Sequence, residues 1–138
     1  MKDQIITIAE ELSEAWNTHD IERIVSFYAL DYEGLDVSRA SPQKGQRAVQ
    51  EYAAMYITAF PDLRFETEEI IIQGNRAAIV WKAQGTHRGV LLNIPPTHRT
   101  VTVRGVSVMT VEDGKIKRAR IIWDMAGLLR DIHLLPEL

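Results

Sequence analysis

The stretch that decides the fold reads RAAIVWKAQGTHR and occupies residues 76–88. If this run is extended, Ile79 and Trp81 lie on one of its faces and the charged Lys82 lies on the other. Alternation with a period of two is typical of a β-strand that buries one face. The pair Gly74-Asn75 directly precedes the run and indicates a turn. We therefore expect a strand here that pairs with the segment before it.

Three further runs with strand-like composition surround this one. The run around residue 105 is rich in valine and threonine, which strands favour. Glu112-Asp113-Gly114 predicts a tight hairpin turn after it. The sequence therefore predicts a meander of long antiparallel strands at about residues 63–73, 76–88, 100–111 and 115–125.

The chain before Pro61 shows helical periodicity instead. Apolar residues recur with a helical period of about 3.6 in three segments, at about residues 4–16, 21–28 and 45–59. Asp20 is placed to cap the second helix. Pro61 ends the third helix, because proline disfavours helical geometry in the residue before it.

Helices followed by a meander predict an α+β fold. A sheet with helices on one face must curl around them to bury both, so we expect an enclosed pocket. Gly85 and Gly105, inside the predicted strands, suit bends or bulges that permit this curvature. Neither an internal repeat nor a linker divides the sequence, and we expect a single domain over residues 1–138.

Composition narrows the classes of function. The 138 residues include no cysteine, which excludes a disulfide framework, a thiolate nucleophile and an iron–sulfur cluster. The net charge of −3 gives no field that would attract nucleic acid. No apolar run approaches the roughly 20 residues that span a bilayer, and no signal-peptide pattern begins the chain. We expect a cytoplasmic protein that binds neither nucleic acid nor membrane.

His87 and His98 do not have the spacing of a metal site, and no phosphate or dinucleotide motif appears, so we expect no metal and no cofactor.

Short motifs occur in a fixed order along nearly the whole chain: Trp16, Asp20, Gly45, Phe60-Pro61-Asp62, Gly85-Thr86-His87-Arg88-Gly89, Ile94-Pro95-Pro96-Thr97, Gly114-Lys115-Ile116 and Trp123-Asp124. This order resembles the SnoaL-like polyketide cyclases, also called ester cyclases, of the nuclear-transport-factor-2-like superfamily. Residues 85–97 are the most specific part. The family usually continues with Gly-Arg after Pro-Pro-Thr, and this chain has His98 in the glycine's place. Where relatives usually carry Gln-Leu-Gly near the end, this chain has Arg130-Asp131-Ile132.

The resemblance implies a cone-shaped, curved antiparallel sheet packed against the N-terminal helices. It implies that the cone binds a small apolar or polycyclic ligand, and that two copies form a homodimer through the outer face of the sheet. It also implies cofactor-free intramolecular aldol ring closure, with Asp124 at the position of the acid/base aspartate. Ser107 and Met109 stand where relatives often have polar or aromatic side chains, and Arg120 stands where they often have an aromatic one.

Asp124 is the sharpest catalytic candidate from the residues themselves. It interrupts an apolar run and, on an extended strand, shares a face with Ile122 and Arg120. A carboxylate in such a run either faces solvent or lies in a pocket. Burial there would raise its pKa and suit it to take a proton from carbon. The alternative is a structural salt bridge with Arg120 or another cation.

His87 is the second catalytic candidate. It follows Trp81 on the same strand face and is expected to donate a hydrogen bond to a substrate carbonyl or to pair with Asp124. The alternative is a core or rim histidine held by a backbone carbonyl. Arg104 and Arg120 lie in apolar strand segments and would bind an anionic oxygen of a ligand if they face the cone. The alternative places both on the solvated face or at a dimer interface.

The remaining candidates would bind substrate through ring surface or polar contact. Core packing is the competing role for the aromatic ones. The full substrate-binding set is Trp16, Tyr32, Tyr56, Trp81, Arg104, Ser107, Met109 and Arg120. The apolar segment Val90–Pro96 is expected to form a lid or a dimer contact, because aliphatic residues in a loop need a partner.

The sequence as a whole favours a polyketide-type cyclase that works by acid/base chemistry. Two alternatives remain. One is another isomerase, dehydratase or epoxide hydrolase on the same scaffold, and epoxide opening in this superfamily uses an Asp–Arg–Asp set of which Arg104 and Asp124 supply a part. The other is a non-catalytic ligand-binding dimer module.

Overall fold

The structure is a computed structural model that describes residues 2–137. It contains four helices and six strands within these residues. The helices are α1 (Lys2–Asn17), α2 (Ile21–Ser26), α3 (Gly45–Ala59) and α4 (Met125–Asp131). The strands are β1 (Tyr28–Asp36), β2 (Gln43–Lys44), β3 (Arg64–Gln73), β4 (Arg76–Thr86), β5 (Thr100–Glu112) and β6 (Lys115–Trp123).

All six strands form one curved sheet in the order β2-β1-β6-β5-β4-β3. The predicted meander of β3 to β6 is confirmed, and every neighbouring pair in it is antiparallel. The strand β1 adds to the edge of β6 in parallel, and the short β2 pairs with β1 in antiparallel fashion. The α+β class predicted from the sequence is therefore confirmed.

Two strands were not predicted. Residues 28–36 form β1, in which Tyr32, Gly34 and Asp36 are buried while Leu35 on the other face is exposed. This segment gives a weak strand signal, because its buried face carries a glycine and a charge and its exposed face carries a leucine. The expectation that Tyr28 belongs to the second helix is wrong, since that helix ends at Ser26.

Local hydrogen bonds fix the boundaries of the helices. The side chain of Asp20 accepts a hydrogen bond from the backbone N–H of Arg23 at 3.1 Å, which confirms Asp20 as the cap of α2. The helix α3 has the predicted bounds, and the N–H of Phe60 donates to the Tyr56 carbonyl at its end. The last strand is shorter than expected, because the chain leaves the sheet after Trp123 and enters α4.

The irregularities in strand pairing lie at positions other than the expected glycines. Pairing between β4 and β5 runs without interruption through Gly85 and Gly105, so neither is a bulge. The register shifts instead between Thr67 and Glu69 on β3 and between Thr110 and Val111 on β5. Gly105 has a different role: a Cβ there would collide with the ring of Trp81. A Cβ at Gly105 would also lie 2.7 Å from the Cβ of Trp123.

The two faces of the sheet differ in character. The concave face packs against α1 and α3 and carries the buried apolar residues. The outer face carries ion pairs, among them Arg104 with Glu68 at 3.0 Å and Lys82 with Glu66 at 3.1 Å. No helix within residues 2–137 has both the length and the apolar character needed to cross a membrane.

The loop after β4 is fixed against the end of α3, and Gly89 makes this possible. The N–H groups of Arg88 and Gly89 donate to the carbonyl of Ala59 at 3.0 and 3.1 Å. A Cβ at Gly89 would collide with the carbonyl oxygen of Thr58.

We expect Gly89→Ala to lower the free energy of unfolding by about 1–3 kcal/mol in urea titrations, because the backbone must shift to make room. The exposed neighbour serves as control: Val90→Ala should change it by less than about 0.5 kcal/mol. Equal stability of Gly89→Ala and the wild type would contradict this packing.

Candidate functional site

A cavity of about 170 Å³ lies between the helices and the concave face of the sheet. Apolar side chains make up most of its wall, with hydroxyl, amide and indole groups between them. Such a space suits a ligand with an apolar body and few polar groups. Of the residues predicted to bind substrate, those on the wall are Trp16, Tyr32, Tyr56, Trp81, Ser107 and Met109.

The expected position of Asp124 in the cavity is wrong. Its side chain is 54% exposed, accepts a hydrogen bond from the N–H of Gly127 at 2.8 Å and lies 3.9 Å from Arg130. It caps the N-terminus of α4. An acid/base role for Asp124 stays a prediction, but the side chain is not part of the cavity wall.

Strand alternation explains the position of Asp124. Ala119, Ile121 and Trp123 line the cavity. The intervening Arg120 and Ile122 are exposed and belong to the outer face. The sequence correctly grouped Asp124 with these last two residues, and that group faces away from the cavity.

The two strand arginines also lie outside the cavity. Arg104 pairs with Glu68 on the outer face and its side chain is largely exposed. Arg120 is exposed and does not contribute to the cavity wall. Neither arginine lies inside the cone, so the expected contact with a ligand there is wrong. Both lie on the outer face of the sheet, which the alternative gave as solvated surface or dimer interface.

His87 is buried, with no exposed surface, but it does not line the cavity. It lies just beyond the end of β4, and its ring packs against Phe60 with 5.6 Å between ring centroids. The backbone N–H of Thr97 donates to His87 Nδ1 at 3.3 Å, and the Thr97 hydroxyl lies 3.0 Å from the same atom. Because an N–H can only donate, Nδ1 is the acceptor and the neutral ring carries its proton on Nε2. The expected pairing with Asp124 is not among the hydrogen bonds of His87.

The buried ring of His87 predicts a pH dependence of stability. Burial lowers the pKa of His87, an effect that the backbone at Gly89 opposes. The folded state therefore binds fewer protons than the unfolded state, so the free energy of unfolding falls as the pH drops below the ordinary histidine pKa of about 6.5. We expect urea titrations between about pH 5 and pH 7 to show a smaller slope for His87→Asn than for the wild type.

The control for this experiment is His133→Asn. His133 is exposed and has a φ of 64°, a conformation that asparagine tolerates. This variant should keep the slope of the wild type. If His87→Asn also keeps it, another group causes the pH dependence.

The buried carboxylate beside the cavity is Asp36, which the sequence analysis did not identify. It has no exposed surface and lies at the end of β1. The hydroxyl of Tyr52 donates to Oδ2 at 2.6 Å, and the indole N–H of Trp123 lies 3.1 Å from both carboxylate oxygens. The backbone N–H and the hydroxyl of Ser38 donate to Oδ1 at 2.9 and 2.6 Å. These donors compensate the cost of burying the charge.

A sequence signal for Asp36 does exist. On an extended β1, Asp36 shares its face with Tyr32 and Gly34, which are buried. A carboxylate in phase with the buried residues of a strand is a candidate for a buried acid. The signal was missed because residues 28–36 were not recognised as a strand.

Tyr52 and Tyr56 present their rings to the cavity from consecutive turns of α3. Their ring centroids are 5.0 Å apart. Burial raises the pKa of Tyr52 well above its ordinary value, and the nearby Tyr56 and Asp36 add to this rise. Burial also raises the pKa of Tyr56. Both phenols therefore stay protonated at neutral pH and can donate hydrogen bonds.

Asp36, Tyr52, Tyr56 and Trp123 together form what we call the Asp36 cluster. Three of its members line the cavity, and Asp36 lies behind Tyr52 and Trp123. The cluster gives an apolar cavity one polar region that contains a proton acceptor and a proton donor in direct contact. Within residues 2–137 no group of three or more His, Asp or Glu side chains is placed to hold a metal ion.

Solved structures with a similar fold define the class to which this architecture belongs. AclR from Streptomyces galilaeus is 23% identical, has a TM-score of 0.87, and is matched over 100% of this chain and 89% of that chain. A protein from Jannaschia sp. CCS1, assigned as a SnoaL-like polyketide cyclase, is 18% identical with a TM-score of 0.87, over 97% and 94% of the two chains. A protein with a ketosteroid isomerase-like fold from Catenulispora acidiphila is 12% identical with a TM-score of 0.80, over 93% of each chain. The fold is therefore of the ketosteroid isomerase-like, nuclear-transport-factor-2-like class.

The sequence itself gives the family. The model of the family described as SnoaL-like polyketide cyclase matches residues 6–132. The chain belongs to this family, as its motifs predicted. A search among curated proteins found no match.

Proposed function

We propose that this member of the SnoaL-like polyketide cyclase family catalyses intramolecular aldol ring closure without a cofactor. The substrate in this proposal is an apolar, carbonyl-rich molecule of the polyketide type. The observation that carries it is the contact between the buried Asp36 carboxylate and the Tyr52 hydroxyl at the wall of an apolar cavity. Aldol closure needs a proton acceptor for carbon and a proton donor for oxygen, and this pair can be both.

The proposed reaction begins with removal of a proton from a carbon next to one carbonyl group of the substrate. The proton passes to Tyr52 Oη while the phenolic proton of Tyr52 passes to Asp36 Oδ2, 2.6 Å away. The resulting enolate carbon attacks a second carbonyl of the same molecule, a carbon–carbon bond forms, and that carbonyl oxygen becomes an alkoxide. The proton then returns through Tyr52 to the alkoxide. Substrate and product are isomers, so no oxidant or reductant is consumed.

The cavity contributes by folding the substrate. A flexible chain with two carbonyl groups must bring its ends together, and a shaped apolar wall holds it in the reactive arrangement. The rings of Trp16, Trp81 and Trp123 supply flat surfaces for a planar or polycyclic body.

A simple model substrate tests the proposal. An aryl diketone that ends in a methyl ketone, with three methylene groups between its two carbonyl groups, closes through its methyl carbon to a six-membered hydroxyketone. Chromatography separates this product from the starting material. We expect the wild type to accelerate closure without added metal or cofactor, and Tyr52→Phe to lower the rate at least about 100-fold. Binding of the diketone without acceleration would contradict the proposal and would favour a non-catalytic ligand-binding module.

The epoxide hydrolase alternative receives less support from the geometry. Its Asp–Arg–Asp set would need Arg104 and Asp124 inside the cone, and both side chains lie outside the cavity. Asp36 is the buried carboxylate beside the cavity, and its hydrogen bonds come from Ser38, Tyr52 and Trp123 rather than from an arginine.

The homodimer that the resemblance implies stays a prediction. Exposed Leu35 and Ile122 on the outer face of the sheet are compatible with a second copy there. Light scattering after size-exclusion chromatography should give twice the monomer mass, and Ile122→Asp should shift it toward the monomer. A wild type that is monomeric at all concentrations would contradict the prediction.

A further inference from the structure

The side chain of Tyr32 leans along β1 toward Asp36, and Gly34 makes room for it. Tyr32, Gly34 and Asp36 occupy alternate positions of the strand, and all three are buried. A Cβ at Gly34 would collide with the hydroxyl oxygen of Tyr32 and would lie 2.6 Å from Cζ of the same ring. The hydroxyl therefore lies over the glycine. Since a strand advances about 3.3 Å per residue, the position of Asp36 is about 7 Å farther along β1.

The hydroxyl of Tyr32 has no partner within the protein and is open to the cavity. It takes part in no side-chain hydrogen bond within residues 2–137. In the same part of the chain, the fully buried side-chain atoms without a partner are Arg39 Nε, Tyr56 Oη and His87 Nε2. Tyr32 Oη is not one of these sealed atoms, so part of its surface is open. Because Tyr32 is on the cavity wall, that surface faces the cavity.

The surroundings of Tyr32 keep this hydroxyl a hydrogen-bond donor. Burial raises the pKa of Tyr32, and the nearby Tyr28 adds to the rise. The phenol therefore stays protonated at neutral pH. The ring of Tyr28 packs edge-on against the ring of Tyr32, with 4.7 Å between their centroids, and restricts its orientation. A donor without an acceptor in an apolar cavity costs free energy, and a ligand oxygen would remove that cost.

We propose that Tyr32 is a further catalytic residue, whose hydroxyl donates a hydrogen bond to the carbonyl oxygen that is attacked in ring closure. This inference rests on the proposed function. As the carbon–carbon bond forms, the electron pair of the attacked carbonyl moves onto its oxygen, which becomes an alkoxide. A donor that is already in place stabilises this charge. Tyr32 keeps its own proton throughout, and the alkoxide is neutralised by the proton that Tyr52 returns.

The position of Tyr32 relative to the Asp36 cluster suits this division of roles. Tyr52, which takes the proton from carbon in the proposed reaction, is bound to Asp36. In the product, the attacking carbon and the former carbonyl oxygen are both bonded to the same carbon atom. The proton acceptor and the hydrogen-bond donor must therefore lie close together without touching the same substrate atom. An offset of about 7 Å along β1 meets both conditions.

Hydrogen–deuterium exchange separates the two steps in the aryl diketone. In D₂O, the methyl carbon exchanges hydrogen for deuterium when the enolate forms and is protonated again, and proton NMR follows this loss together with the ring product. Tyr32→Phe should lower the enzyme-catalysed rate of closure about 100-fold, because loss of one oxyanion donor typically costs about 10²–10³ in rate. The enolate still forms in this variant, so the ratio of exchange to closure should rise at least about 10-fold.

Thr102→Val is the matched control, because it removes a hydroxyl from an exposed residue of β5 that does not line the cavity. Both rates and their ratio should stay within about 3-fold of the wild type. Asp36→Asn should lower exchange and closure together, as should general damage to the fold. A raised ratio is therefore specific to a group that acts after the enolate has formed.

The outcomes separate this inference from the proposed function. If Tyr32→Phe lowers exchange and closure by the same factor, or lowers neither, the role of Tyr32 is overturned while the proposed function stands. If Tyr28→Phe raises the ratio and Tyr32→Phe does not, the donor is Tyr28, and the assignment to Tyr32 is likewise overturned. A wild type that neither exchanges nor closes the diketone contradicts the proposed function and this inference with it.

Discussion

Asp36→Asn is expected to lower the rate of aryl diketone closure at least about 100-fold, the effect of losing a general base. The amide cannot accept the Tyr52 proton as a carboxylate does. If its oxygen keeps the two hydrogen bonds from Ser38, its NH₂ group faces Tyr52, and that hydroxyl must then accept rather than donate. Initial rates at saturating diketone measure the effect, and calorimetric binding of the diketone shows whether the cavity persists.

Asp124→Asn is the matched control for Asp36→Asn. It makes the same chemical change in a half-exposed residue that caps α4. We expect its rate to stay within about 3-fold of the wild type, because asparagine is about as good a helix cap as aspartate. A large loss in Asp124→Asn together with a normal rate in Asp36→Asn would assign the acid/base role to Asp124, as the family resemblance implies, and would overturn the role proposed for Asp36.

Ala119→Leu is expected to abolish turnover by filling the cavity. Ala119 lies on β6 and its side chain is part of the cavity wall. A leucine there occupies the space that the substrate needs, and displacement of the substrate by about 1 Å can already cost about 100-fold in rate. Rates and calorimetric affinities for the diketone should both fall, while the free energy of unfolding changes little because the new side chain enters an existing void.

Ala126→Leu controls for the added bulk. Ala126 is exposed on α4 and does not line the cavity. This variant should keep the rate and the affinity of the wild type. If Ala119→Leu also keeps both, the ligand binds elsewhere and the cavity is not the active site.

The sequence predicted most of the fold because most of the pattern is local. The strand β4 alternates clearly, turn signals separate the strands of the meander, and α3 was predicted with its observed bounds, Gly45–Ala59. The strand β1 was missed because its alternation is mixed. Its partner β6 lies more than eighty residues away in the chain, as the hydrogen bond between Trp123 and Asp36 shows, with a separation of 87 residues. The pattern within a short stretch of sequence does not indicate which distant strand pairs with it.

The candidate site was predicted less well, for a physical reason. Residues 121–123 are all apolar, so the sequence does not decide which of their alternating faces is buried. Asp124 was assigned to the cavity, whereas the cavity face is that of Ile121 and Trp123. Part of the aromatic wall was predicted, because large rings with helical or strand periodicity must pack inward. Tyr52 and Trp123, which also line the cavity, were not in the predicted set.

The Asp36 cluster could not be predicted from local sequence patterns, because its members are far apart in the chain. Asp36 meets Tyr52 across 16 residues and Trp123 across 87 residues. Each of these residues alone reads as core packing. The Asp36 carboxylate becomes a candidate acid/base group only because Ser38, Tyr52 and Trp123, from three separate parts of the chain, donate hydrogen bonds to it.

The most direct test of the central claim, that the cavity beside Asp36 is the active site, uses the indole N–H signals of the three tryptophans. Trp16, Trp81 and Trp123 all line the cavity, and the Trp123 N–H is bound to Asp36. We predict that nitrogen-15 NMR titration with the aryl diketone shifts all three signals in proportion to a single binding curve, with Trp123 among them. A diketone that is turned over or bound while the Trp123 and Trp81 signals stay in place would contradict the account.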